Sequence, residues 1–141
     1  MNDFRRISTH LPIIACLLLV VFVAITKQMV GFRIETDRDT CFIGENVTAS
    51  IIHFNNLPFP VPQEALTRLE FGCTLNGKPL DAGYSAHLSP TGPIYLMPPG
   101  SKVWLFPIIV APQVNGTLVF TARIGMEQLT TYEKQVRVFT R

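Results

Sequence analysis

Twenty consecutive residues, Ile7 to Thr26, carry no full charge and lie between Arg5-Arg6 on one side and Lys27 on the other. No other feature constrains the fold as strongly. The stretch reads ISTHLPIIACLLLVVFVAIT, with His10 near its edge. At about 1.5 Å of rise per residue it covers roughly the 30 Å of a bilayer core. The expectation is one N-terminal transmembrane helix over 7–27, touching lipid through Ile7–Thr26, after a short cytoplasmic tail over 1–6. Pro12 lies near the helix start, where a missing N–H is tolerated. Ala15, Cys16 and Ala24 are small, but no G-x-x-x-G pattern predicts close helix pairing. A cleaved signal peptide is the rival reading. It needs small residues around a cut, and Ala24 is followed by Ile25-Thr26-Lys27-Gln28-Met29-Val30. A lipoprotein box fits worse still, because most of the apolar run comes after Cys16.

The formal charge of +2 belongs to this first segment, where Arg5, Arg6 and Lys27 stand against Asp3. The rest of the chain holds nine Lys/Arg and nine Asp/Glu. A neutral domain without a basic run argues against nucleic-acid binding. It also argues against an electrostatic grip on the membrane surface. Orientation rests on several signs, since Arg5 and Arg6 are nearly balanced by Lys27 and Arg33. The N-terminal tail is very short. Two candidate N-glycosylation sites, Asn46 (Asn-Val-Thr) and Asn115 (Asn-Gly-Thr), lie in the domain. Cys41 and Cys73 form a candidate disulfide for an oxidising compartment. Together these place the domain on the extracytoplasmic side of the cell membrane. The bridge would close a loop of about 33 residues, worth roughly 3–4 kcal/mol. Two buried free thiols are the alternative.

After a linker over 28–31, the chain reads as one β domain over 32–141. Phe32-Arg33-Ile34-Glu35 alternates as a first strand. Asp37 to Thr40 is a polar turn, and Gly44 supplies another before a strand over 46–54. Val47, Ala49 and Ile51 share one face there. Ile52 and Phe54 break the alternation, which predicts a bulge or full burial. Three prolines in Leu57-Pro58-Phe59-Pro60-Val61-Pro62 force an extended loop. Gln63 to Leu66 is room for one helical turn. Leu69, Phe71, Cys73 and Leu75 line one face of a strand over 67–75, and Asn76-Gly77 is a tight-turn pair. Short strands are expected around 82–88 and 94–97. A turn at 98–101 leads into a strand over 102–110, interrupted at Pro107. Asn115-Gly116 reads as a second tight turn. Leu118, Phe120, Ala122 and Ile124 point inward on the next strand, and Val136 and Val138 on the last, over 135–140. Short strands with turn signals roughly every ten residues make an antiparallel sandwich.

Three segments carry a resemblance: Phe42-Ile43-Gly44-Glu45-Asn46-Val47, the Pro99-Gly100 turn before an apolar strand, and Asn115-Gly116-Thr117-Leu118-Val119-Phe120-Thr121-Ala122. In this order they resemble the recurring parts of Ig-like modules on prokaryotic, especially archaeal, cell surfaces. The resemblance implies an all-β Ig-like antiparallel sandwich and an extracellular habit, and nothing catalytic. The antibody pattern is absent, for no cysteine lies on the 117–124 strand and Trp104 is not between two paired cysteines.

Chemistry-bearing patterns are sparse. His10, His53 and His87 are far apart, with no H-x-H or H-E-x-x-H, and no third ligand accompanies the cysteines at zinc spacing. No G-x-S-x-G context supports a serine nucleophile. No cofactor or metal is expected. Leu57, Pro58, Phe59, Pro60, Val61 and Pro62 form the candidate partner contact, a stiff loop with apolar side chains. The alternative is that Phe59 and Val61 cover the end of the sandwich. The Tyr95–Phe106 region, with Tyr95, Met97 and Trp104, is a second candidate contact, for which core is the favoured reading. The expectation is a non-enzymatic, membrane-anchored binding or assembly module, an accessory subunit whose partners are other membrane or envelope proteins. A structural component of a surface appendage is the alternative, since archaellum stator proteins are similar in plan, though no pilin-type processing site is present. A small envelope enzyme or inhibitor is the least favoured reading.

Overall fold

The computed structural model describes residues 3–62, 68–87, 96–125 and 128–141. Helix α1 (Asp3–Met29) runs directly into β1 (Val30–Thr36). There is accordingly no separate linker over 28–31. Gln28 and Met29 continue the helix, and the first strand starts two residues before Phe32. Among the described residues no helix is long and apolar enough to cross a membrane. The side chains described on α1 are those of 12–25 and 28–29, the first stretch about 21 Å of helix axis.

The remaining elements are β2 (Thr40–Phe42), β3 (Val47–Asn55), β4 (Val61–Pro62), β5 (Arg68–Leu75) and β6 (Lys78–Pro79). They are followed by β7 (Tyr84–His87), β8 (Leu96–Met97), β9 (Ser101–Val110), β10 (Gly116–Gly125) and β11 (Leu129–Phe139). One sheet has the order β1-β3-β9. The other has the order β2-β11-β10-β5-β6, with β7 also paired to β5. A short β4–β8 ladder stands apart. The two sheets face each other across one core. Phe32, Ile34, Val47, Ala49, Ile51, Ile108 and Val110 come from the first, and Leu69, Phe71, Leu118, Phe120, Val136 and Val138 from the second. The period-two faces expected for β5, β10 and β11 are therefore the ones that pack.

Several local expectations change in the tertiary structure. Residues 115–116 do not close a hairpin, because β9 and β10 belong to different sheets and 111–115 is the crossing between them. The Asn76-Gly77 turn does close one, onto β6, with φ of 50° and 78°. Asn76 then reaches across to the crossing, its Nδ2 donating to Asn115 O and its Oδ1 accepting from Thr117 N, each at 3.0 Å. The irregularity expected on β3 sits on its partner. Ala49 pairs with Ile108 and Ile51 with Leu105, so Phe106 and Pro107 oppose Ser50 alone. Phe106 takes φ 52° there. β3 itself is buried on both faces. β2 is an added three-residue strand, parallel to β11, and β11 begins six residues before the expected 135. Its early half is polar, so it carried no apolar alternation. The helical turn at 63–66 lies outside the described residues, as do 88–95.

Candidate functional site

Cys41 and Cys73 are both buried and both free. This corrects the candidate disulfide. Cys41 is on β2 and Cys73 on β5, at opposite ends of the order β2-β11-β10-β5. Three strand spacings separate them by about 14 Å, twice the Cα distance a disulfide spans. Burial pushes the Cys73 thiol up to about 11 and raises Cys41 as well, with help from Glu45. Neither is set up as a nucleophile.

His53 lies on the inner side of β3, 1% exposed, stacked on Phe32 with ring centroids 4.2 Å apart. Among the described residues neither ring nitrogen has a hydrogen-bond partner. Burial lowers its pKa, because the buried site disfavours the charged ring. The side chains of His10 and His87 are outside the description. Ser85 lines a shallow hollow with Glu70, Thr121 and Arg123. Glu70 is already engaged there by Arg68 at 2.5 Å and Arg123 at 2.9 Å, and the Arg68 hydrogen bond leads in holding its carboxyl below the usual range. Among the described residues no group of three His, Cys, Asp or Glu is placed to hold a metal ion.

The contact surfaces are more informative. In the 57–62 loop Leu57 is buried, Val61 is half-buried, and Pro58, Phe59, Pro60 and Pro62 are exposed. Asn55, wholly buried, organises the loop. Its Nδ2 faces Phe59 O, Met97 O and Pro98 O at 3.0, 3.0 and 3.1 Å, and its Oδ1 accepts from Leu57 N at 3.0 Å. The loop thus divides the two sequence readings: Leu57 covers the sandwich while Phe59 is presented outward. No periodicity marked Asn55, although an Asn beside a proline-rich loop is a residue type that ties carbonyls together.

The second candidate contact divides between its two readings. Trp104 is not core. It stands 62% exposed on the outer face of β9, opposite Ile52, with Ile109 63% exposed on the same face. Met97 is core, and Tyr95 falls outside the described residues. Continuous apolarity along β9 signalled burial on both faces, whereas its outer face leaves Trp104 and Ile109 exposed; among the described residues β9 pairs with β3 alone. Nearby, Arg33 lies 4.8 Å above the Phe54 ring and binds Glu35, which Lys102 also reaches at 3.4 Å. These groups cover Ile52 and Phe54 and leave Trp104 open. Asn46 and Asn115 are exposed at the end of the sandwich far from α1. At that end Leu75, Asn76, Lys78, Leu80, Pro112 and Val114 border an open apolar groove of about 400 Å³.

No family model matches the chain, and no curated protein matches it. Solved structures that resemble it include the CARDB domain of a Pyrococcus furiosus protein, crystallised in complex with di-metal ions. That domain is 12% identical, with a TM-score of 0.44 over 80% of this chain and 96% of that one. A solution structure of the same domain gives 13% and 0.42, over 78% and 95% of the two chains. A superoxide reductase (neelaredoxin) from Ignicoccus hospitalis gives 10% and 0.41, over 80% and 85%. Likenesses at this level decide nothing about activity or partners.

Proposed function

We propose that this chain is a single-pass membrane protein presenting an Ig-like sandwich outside the cytoplasm, where it binds or assembles with another membrane or envelope protein as an accessory subunit. The observation that carries this reading is on α1. Its large apolar side chains between Ile13 and Ile25 stand 46–65% exposed, and they follow one another without a polar face. A helix apolar all round needs an apolar surrounding, and the sandwich does not provide it. The apolar run continues in sequence over Ile7–Thr26, long enough to match the bilayer core. The partner surface is the outer face of β9, where Trp104 and Ile109 supply the exposed apolar anchors, beside a strand edge to which no other strand pairs among the described residues. The role is non-enzymatic: the helix sets location, the sheets are the scaffold, and β9 makes the contact.

Extraction from the native membrane in mild detergent, followed by sizing and identification of companions, tests this. The full chain is expected to migrate in a stoichiometric complex. Trp104→Glu with Ile109→Lys is expected to release it from that complex while it stays in the membrane fraction. Migration of the unaltered chain at monomer size would count against the assembly role, and recovery in the soluble fraction against the anchor.

A further inference from the structure

The structure places a second apolar surface where α1 meets the domain. The N–H of Asn56 donates to Met29 O, the last residue of the helix, at 2.7 Å, and Val30 pairs with Asn55. Asn55 in turn ties down the carbonyls of Phe59, Met97 and Pro98. The loop over 57–60 and the segment over 96–99, β8 and the two prolines after it, are therefore fixed at the level of the helix exit. Phe59 is 45% and Leu96 61% exposed, and Pro58, Pro60, Pro98 and Pro99 are exposed around them. No charged residue occurs over 55–62 or 96–101.

We propose that this proline-rich apron lies in the interfacial layer of the bilayer, so that the sandwich stands on the membrane instead of swinging from a tether. The proposal rests on reading α1 as the anchor. Met29 follows Thr26 by three residues, about 4.5 Å of helix. Each headgroup layer is roughly 5–8 Å thick. Asn56 and the apron attached to it consequently fall inside that layer. Three observations suit lipid as the occupant. The patch is apolar and uncharged. Its prolines carry no N–H that would need water. The carbonyls nearest the core are already bonded by Asn55. Lys102, the first charge beyond the apron on β9, is already paired with Glu35. A protein partner here would have to fit between the domain and the membrane that α1 enters.

The test uses the full chain in liposomes, with Trp104→Phe removing its single tryptophan and a reporter introduced by Phe59→Trp, Leu96→Trp or, at the far end, Val114→Trp. Val114 is 51% exposed and about a β9 length, some 30 Å, away. The expected result is a blue-shifted emission from Phe59→Trp and Leu96→Trp that bromolipids quench and aqueous iodide does not, with the reverse for Val114→Trp. Iodide quenching of the apron reporters in protein that floats with the liposomes would overturn the proposal and leave the anchor intact. Protection from both quenchers would overturn it in favour of a protein contact. Failure of the chain to float would overturn the anchor reading, and this proposal with it.

Discussion

Asn55 has one amide nitrogen facing three carbonyl oxygens in a site closed to solvent. Asn55→Ala leaves those carbonyls and the Leu57 N–H without their partner, at a cost on the order of 3 kcal/mol. Asn55→Asp keeps the shape but replaces the donor with a carboxylate among carbonyls. It is expected to be less stable than Asn55→Ala at neutral pH and to recover on acidification; equal melting temperatures at pH 7 would contradict that account. His53 supplies a different pH signature. Its folded pKa lies below the unfolded value near 6.5 because burial disfavours the cation. Below that value the unfolded chain takes up a proton that the folded chain refuses. Stability is then complete above about pH 6.5 and falls as pH drops through the window between the unfolded and folded values, by at most about 1.4 kcal/mol per pH unit. Denaturant titrations of His53→Leu against the unaltered chain should show this acid slope only in the latter.

At the scale of elements, β5 and β6 are joined by Asn76-Gly77, and Gly77 sits at φ 78° with open space where a Cβ would go. Space is no obstacle, so the backbone alone sets the cost. Gly77→Ala is expected to lose about 1–2 kcal/mol through the left-handed conformation, measurable as a lower denaturant midpoint with an unchanged slope. Asn76→Ala adds loss of the bonds to 115 and 117, which link this hairpin to the crossing between sheets. The β2 and β5 strands settle the cysteines. Because three strand spacings part Cys41 from Cys73, a reductant should leave the melting temperature unchanged. Both thiols should resist a thiol reagent in the native protein and react once it is unfolded. A reductant-sensitive melt would mean that the strand order is not the one described.

The whole molecule combines an exposed apolar helix with a charge-neutral sandwich. If the helix is what holds it, salt that screens surface charge over a few ångströms should not detach it. Retention in the membrane fraction through a wash of about 1 M salt, where the screening length is near 3 Å, is the expected outcome. Release by salt would point to an electrostatic attachment that the nine-against-nine charge balance of the domain gives no reason to expect.

Much of this architecture was legible in the order of residues. The apolar run of α1, the inward faces of β5, β10 and β11, and the Asn76-Gly77 turn all depend on neighbours a few positions apart, where period and turn chemistry act directly. What escaped depends on partners far along the chain. The two cysteines looked pairable until the strand order set them apart, and Asn115-Gly116 looked like a hairpin until β9 and β10 entered different sheets. Trp104 looked like core because an apolar strand reads the same whether one face or both are covered. Asn55 lay just past the expected strand with no signal of its own, and only the arrival of 97 and 98, more than forty residues later, made it the buried tie of the apron. Local pattern determines which side of a strand is apolar; only tertiary packing decides what covers it, because that cover is supplied by non-local contacts.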